Sequence, residues 1–330
     1  MTIKIYCWLR WVFLFGLTCL LAIGCHKVSL NPPIDSQASL SETTRLIEHS
    51  LGEAEIPANP QRIVTLHDSL LLSPAIALGV KPIASTTYSA VDGIPFREVT
   101  PKQVKGIEIL GDGHQPNLEK LLLLDPDLIL TSNLPVHQQI YDRLSAIAPT
   151  VAVAWDNYDS FKNRFRYVAR VLGKSDRANE LLDKYQNRVQ ELRQAIGERI
   201  DTLRISVVYA YGRELSLINS PGDPVNEVLA DVKLKLIPIQ AEMAQRNQNL
   251  SFSLETLSEH DADFLFIIKY PNDTVEAVLD NPLWQQLKAV KSGQYAEISP
   301  RRWGGTSTVT ANYILDDLFK YLVQDRSLDR

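Results

Sequence analysis

Aromatic and cationic side chains collect just past the apolar runs of this chain. His67 follows the run 62–66, and Tyr88, Ser132, Asn133, Trp155 and Asp156 follow later ones. In the C-terminal half the same places hold Tyr209, Tyr211, Arg213, Lys269, Tyr270, Arg301, Arg302 and Trp303. Arginine pairs oxygens bidentately, and tyrosine and tryptophan pack a large apolar body. Together they suit a large, flat, anionic ligand. Any one of them reads equally well as an amphipathic surface residue; their gathering is what argues for a cleft. The expected ligand-binding set is His67, Tyr88, Trp155, Tyr211, Arg213, Tyr270, Arg301, Arg302 and Trp303.

Signatures of catalysis are sparse. There is no Gly-x-Ser-x-Gly elbow and no Gly-x-Gly-x-x-Gly loop. Gly173-Lys174-Ser175 imitates the tail of a phosphate loop, but Val168 stands where its first glycine must be. His67-Asp68-Ser69 is the one nucleophile-like cluster, and adjacent residues rarely form a triad. It keeps a rival reading open, an α/β lipoprotein enzyme, although no enzyme is the main expectation. His67, His114, His137 and His260 lack metal-ligand spacing, so no metal held directly by the protein and no cofactor is expected. The 330 residues carry a formal charge of −5 and no basic stripe, which argues against nucleic acid as a partner.

Another pair of residues stands out through a repeat. Asn117-Leu118-Glu119 and Ser253-Leu254-Glu255 are followed at matching distances by Leu121 and Leu257, Asp125 and Asp261, and Asp127 and Asp263. Each copy reads as a capped helix leading into a buried strand. Two readings of Glu119 and Glu255 stay open. Each offsets its helix dipole locally, or the symmetric pair docks a two-fold partner.

The elements that must position these residues follow a βα rhythm. Residues 45–56 read as a hairpin around Gly52. Strands at 62–66, 82–85, 128–131 and 151–154 alternate with helices, as in a parallel α/β lobe. Residues 160–200 read as helical, with Gly173 a break or bend. Ala178, Leu181, Leu182, Tyr185, Val189, Leu192 and Ile196 form an apolar stripe there, a stiff spine between two halves. Strands at 204–210, 264–268 and 295–298 build the second lobe, and a helix at 310–323 closes it.

The N-terminus has its own signal. Lys4 and Arg10 precede an apolar stretch over 11–23, too short for a comfortable membrane span. It ends Leu20-Leu21-Ala22-Ile23-Gly24-Cys25, which resembles the lipobox of bacterial lipoproteins; the usual leucine three places before the cysteine is here Ala22. Cleavage would leave Cys25 as the sole, lipidated cysteine. The rival reading is an uncleaved anchor. Residues 26–43 read as a flexible tether.

From about Pro60 onward the chain resembles the periplasmic binding proteins for ferric siderophores and cobalamin. The matching stretches are Pro60-Gln61-Arg62-Ile63-Val64, Ala77-Leu78-Gly79-Val80-Lys81-Pro82, the segment from Asn117 to Ile129, and Asn281-Pro282-Leu283-Trp284 with Val290-Lys291-Ser292-Gly293. The resemblance implies two Rossmann-like α/β lobes joined by one long helix, with a ligand cleft between them. The domain plan it implies is a signal peptide over 1–24, the lipidated cysteine, tether and start of the fold over 25–60, and a binding domain over 61–330. That domain divides into an N-lobe at about 61–157, the spine at about 160–200 and a C-lobe at about 203–330. The ligand implied is a ferric siderophore whose iron stays on its chelate. The partners implied are an ABC permease dimer with its cytoplasmic ATPase, which Glu119 and Glu255 would dock, and the periplasmic face of a membrane, reached through Cys25. The receptor would act as a monomer. Cobalamin or haem is the alternative ligand, with His67 or Tyr88 as an axial group for haem. Relatives often carry Trp-Gly-Pro where this chain has Trp303-Gly304-Gly305.

Overall fold

The computed structural model describes residues 43–88, 93–155, 160–211, 214–219, 222–270 and 278–324. Cys25 and Arg213 lie outside the described residues, as does Asp156. Among the described residues, no helix is long and apolar enough to cross a membrane.

The chain opens with an antiparallel hairpin, β1 (Thr44–His49) and β2 (Gly52–Pro57). It leans on the first lobe: the Ser50 N–H donates to the Ala152 carbonyl at 3.1 Å. That lobe is a five-stranded parallel sheet of β3 (Ile63–Thr65), β4 (Ala84–Thr87), β5 (Glu108–Asp112), β6 (Leu128–Ser132) and β7 (Thr150–Val153). Its order is β5-β4-β3-β6-β7. Order reverses at β3, which opens a crevice beyond its carboxyl end.

The second sheet has the three expected strands and adds a flank that the sequence did not reveal. Its centre is parallel, with β8 (Arg204–Tyr211), β12 (Phe264–Lys269) and β13 (Tyr295–Ile298) side by side. One flank turns back on itself, β9 (Glu214–Leu217) pairing antiparallel with β8 and β11 (Leu250–Phe252) antiparallel with β9. The short β10 (Lys235–Leu236) adds parallel to the start of β8. Tyr211 pairs with Glu214, so β9 runs straight back along β8, as antiparallel neighbours can without a crossover helix.

The internal repeat has a shared mechanical role. Asp127 accepts the Arg62 N–H at 2.9 Å, and Asp263 accepts the Arg204 N–H at 2.9 Å. Each aspartate thereby pins the start of its lobe's central strand to the strand that follows it. Leu121 and Leu257, at matching positions, are both fully buried. The helices before them differ. Glu119 sits on α3 (Leu118–Leu123), where Asn117 accepts the Lys120 N–H at 2.8 Å. Glu255 sits on a 3-10 helix (Leu254–His260) whose Ser253 makes no cap bond.

The spine is two helices. α5 (Phe161–Val171) ends before Gly173, whose φ of 66° only glycine adopts freely, and α6 (Ser175–Ile196) runs back. On α6, Ala178 and Leu182 belong to the first lobe's core, while Tyr185, Val189, Leu192 and Ile196 belong to the second lobe's. α5 divides likewise, Phe161 against one core and Phe165 and Val168 against the other. Its 22 residues make α6 about 33 Å long at about 1.5 Å per residue, enough to cross both. Of the remaining helices, α7 (Pro224–Val232) and α12 (Thr308–Phe319) bear on the site; α11 (Pro300–Trp303) follows β13.

Candidate binding cleft

The carboxyl ends of both central sheets face one cleft. It encloses about 160 Å³ and is lined by Arg97 and Trp155 of the first lobe, Arg164 of α5, and Tyr209, Asp223, Tyr270, Trp303 and Thr306 of the second. A larger groove of about 400 Å³, between α5 and α6, holds none of the strand-end residues.

On the first wall, His67 ends the β3 loop and caps a π-turn (Asp68–Leu72), its Nδ1 accepting the Leu70 N–H at 3.0 Å. Its ring lies under Tyr88, centroids 4.2 Å apart, and 5.6 Å from Trp155. Burial pushes the imidazole down to about 3, so His67 is neutral at physiological pH and acts as an aromatic plate. Burial likewise raises the Tyr88 phenol. Tyr88 packs over Gly113, where any Cβ would come within 2.1 Å of its ring. Trp155 is half-buried, its backbone N–H held by Asn133 Oδ1 at 2.6 Å.

The nucleophile-like cluster is not a triad. His67 Nδ1 is taken by a backbone N–H. Asp68 faces Arg97, accepting Nη2 at 2.7 Å and Nε at 3.1 Å. Ser69 donates to Glu98 at 3.0 Å. Burial opposes ionisation of Asp68, but the guanidinium beside it prevails and holds the carboxyl below its ordinary range.

The second wall holds Tyr209, buried, and Tyr270, both phenols raised by burial. Tyr211 stands out at 68 % exposure in an edge-to-face pair with Tyr270, 5.4 Å between centroids. Asp223 caps α7 by accepting the Val225 N–H at 3.0 Å, and burial pushes its carboxyl up to about 7. Arg301 donates to the Val99 carbonyl at 2.8 Å.

Arg302 and Trp303 are placed differently from their sequence neighbour. Arg302 forms a two-pronged pair with Asp317 of α12, both bonds 2.9 Å, and lies over Tyr313. Trp303 is 1 % exposed, donates Nε1 to the same Asp317 at 2.8 Å, and packs on Phe266. Trp303 is among the residues that line the cleft and Arg302 is not. Both follow a strand, and Asp317, distant in sequence, accepts hydrogen bonds from both side chains. Lys269 pairs with Glu297 at 3.0 Å.

Two cleft cations escaped the sequence reading. Arg97 sits in a loop rather than past a strand. Arg164 faces inward from the first turns of α5, donating to the Thr306 carbonyl at 2.6 Å and the Gly222 carbonyl at 3.3 Å. The available signal was an arginine on the apolar face of an amphipathic helix, three residues after Phe161 and four before Val168.

Glu119 and Glu255 are both exposed, one per lobe. The Ser253 hydroxyl lowers the Glu255 carboxyl.

The periplasmic binding protein family model matches residues 80–301. This chain belongs to that family. Among its relatives in the family, the probable siderophore-binding lipoprotein YfiY of Bacillus subtilis is 30% identical over 328 residues, covering 96% of this chain and 97% of its own. The Fe(3+)-citrate-binding protein YfmC of the same organism is 29% identical, covering 87% and 88%. Among periplasmic binding proteins of known structure, Staphylococcus aureus SirA complexed with staphyloferrin B superposes with a TM-score of 0.70 at 27% identity, covering 84% of this chain and 98% of SirA.

Proposed function

We propose that this chain is a lipid-anchored receptor that captures a ferric siderophore on the periplasmic face of a membrane and hands it to an ABC importer. The observation that carries this is a cleft between two sheet-built lobes, lined by Arg97 and Arg164 together with Trp155, Tyr209 and Tyr270, with the stacked rings of His67 and Tyr88 beside Trp155. Cations and flat rings suit an anionic chelate whose iron is already coordinated, so the protein needs to supply no iron ligand. The names of the relatives support the same cargo. No bond is made or broken in this function. His67 suits packing better than haem ligation, since its Nδ1 is engaged and its ring is covered by Tyr88.

In this reading Cys25 carries the lipid, and Glu119 and Glu255 meet cationic pockets on a permease dimer served by a cytoplasmic ATPase. The receptor works as a monomer, and Arg213 and Arg301 help to bind the anionic ligand.

Tryptophan fluorescence tests the cargo. The fragment after Cys25 is titrated with ferric citrate, a ferric hydroxamate, a ferric catecholate, haem and cobalamin. Saturable quenching by a ferric chelate, absent with the iron-free chelator, is the expected result. Binding of haem or cobalamin alone would replace the siderophore reading. For docking, the double variant Glu119→Ala with Glu255→Ala should abolish import at unchanged ligand affinity; weakened binding would remove that role.

A further inference from the structure

Segment 96–99 joins the lobes at one edge of the cleft. Phe96 and Val99 are buried in a small first-lobe cluster with Leu72 and Ile107. Between them Arg97 turns to Asp68 and the cleft, and Glu98 turns into the second lobe. Glu98 is 2 % exposed at a φ of 62°, a left-handed conformation unfavourable for a side chain of its kind.

Its carboxylate is fully engaged. Oε1 accepts from the Ser69 hydroxyl at 3.0 Å, the Thr310 hydroxyl at 2.5 Å and the Ser307 N–H at 3.4 Å. Oε2 accepts from the Ser307 hydroxyl at 2.7 Å. Ser69 belongs to the first lobe. Ser307 and Thr310 form the start of α12 in the second, where the helix dipole favours an anion. Gly305 makes the approach possible, since a Cβ there would lie 1.6 Å from Oε1. Further bonds flank the contact. Arg301 donates to the Val99 carbonyl, the Thr306 N–H donates to Ser69 Oγ at 2.8 Å, and the hydroxyls of Ser73 and Ser307 lie 3.2 Å apart.

We propose that Glu98 is a positioning residue for ligand capture: its carboxylate clasps the second lobe to the first along one edge and so fixes the spacing of the two cleft walls. A ligand then meets a gap of set width, and any lobe movement is a rocking about the clasped edge. The ligand half of this statement rests on the capture reading above; the clasp itself is tested without ligand.

Hydrogen exchange by mass spectrometry on the full chain in detergent compares the wild type with Glu98→Gln and Thr310→Val. Thr310→Val removes one donor to Glu98 and leaves the fold's other bonds alone, so it decides the matter if Glu98→Gln fails to fold. The expected result is exchange about tenfold faster at 66–73, in the lobe opposite Thr310, as well as at 304–311, with the second half of α6 unchanged. Change confined to 304–311, or no change, overturns the proposal. Ferric citrate titrated into the same variants should bind severalfold more weakly than to wild type. If wild type ignores ferric citrate, the cargo reading suffers while the exchange result still judges the clasp.

Discussion

Asp223 holds a carboxyl at the cleft wall with its ionisation pushed up to about 7 from 3.8 by burial, partly offset by the Val225 N–H. Between those two pH values the folded protein keeps a proton that the unfolded chain releases. Stability therefore falls as pH rises from about 4 to about 7, and the loss is complete above that window. Asparagine caps a helix as well as aspartate does. Asp223→Asn should match wild type near pH 4 and exceed it in melting temperature near pH 8, as thermal denaturation across that range would show. An equal effect at both pH values would assign Asp223 to capping alone. Asp317 accepts from the Arg302 guanidinium and the Trp303 indole N–H. Asp317→Ala strands the indole N–H and should cost about 1–3 kcal/mol by chemical denaturation, with ligand affinity nearly unchanged. At this scale the sequence was least legible. Residue type showed that Arg302 and Trp303 were special but not whom they served, because their partner lies on another helix. Arg97 was invisible for the same reason, since Asp68 and Gly304 that frame it are far apart in the chain.

Among the elements, the repeat could be read because it is local in sequence: cap, buried leucine and strand-starting aspartate each act within a few residues of one another or on the neighbouring strand. The antiparallel flank of the second sheet could not be read, since an apolar run does not reveal the direction of its partner. Nor could the 3-10 geometry under Glu255, which looks like α3 in residue types. Strand β4 and the loop after β5 meet where Tyr88 covers Gly113, and close contact there depends on the missing side chain. Gly113→Ala should displace the Tyr88 ring, cost about 1–3 kcal/mol of stability, and weaken chelate binding. Near-ultraviolet circular dichroism would report the ring and fluorescence titration the binding; unchanged affinity would take Tyr88 out of the cleft wall.

For the molecule as a whole, both spine helices contribute to both cores. Neither lobe keeps its full core without the other's share of α5 and α6. Thermal unfolding followed by far- and near-ultraviolet signals should then give one coincident transition; two separated transitions would mean the lobes stand alone. The α6 stripe was readable from its three- and four-residue spacing, whereas its division between two cores was not, because periodicity names a buried face and not the body that buries it. The Glu98 carboxylate and the bare backbone of Gly305 occupy what would otherwise be one volume. Neither position is then free to drift alone. Across a set of descendants, a side chain gained at 305 should appear only where the acid at 98 has already been shortened or lost, so the two columns of an alignment ought to change together.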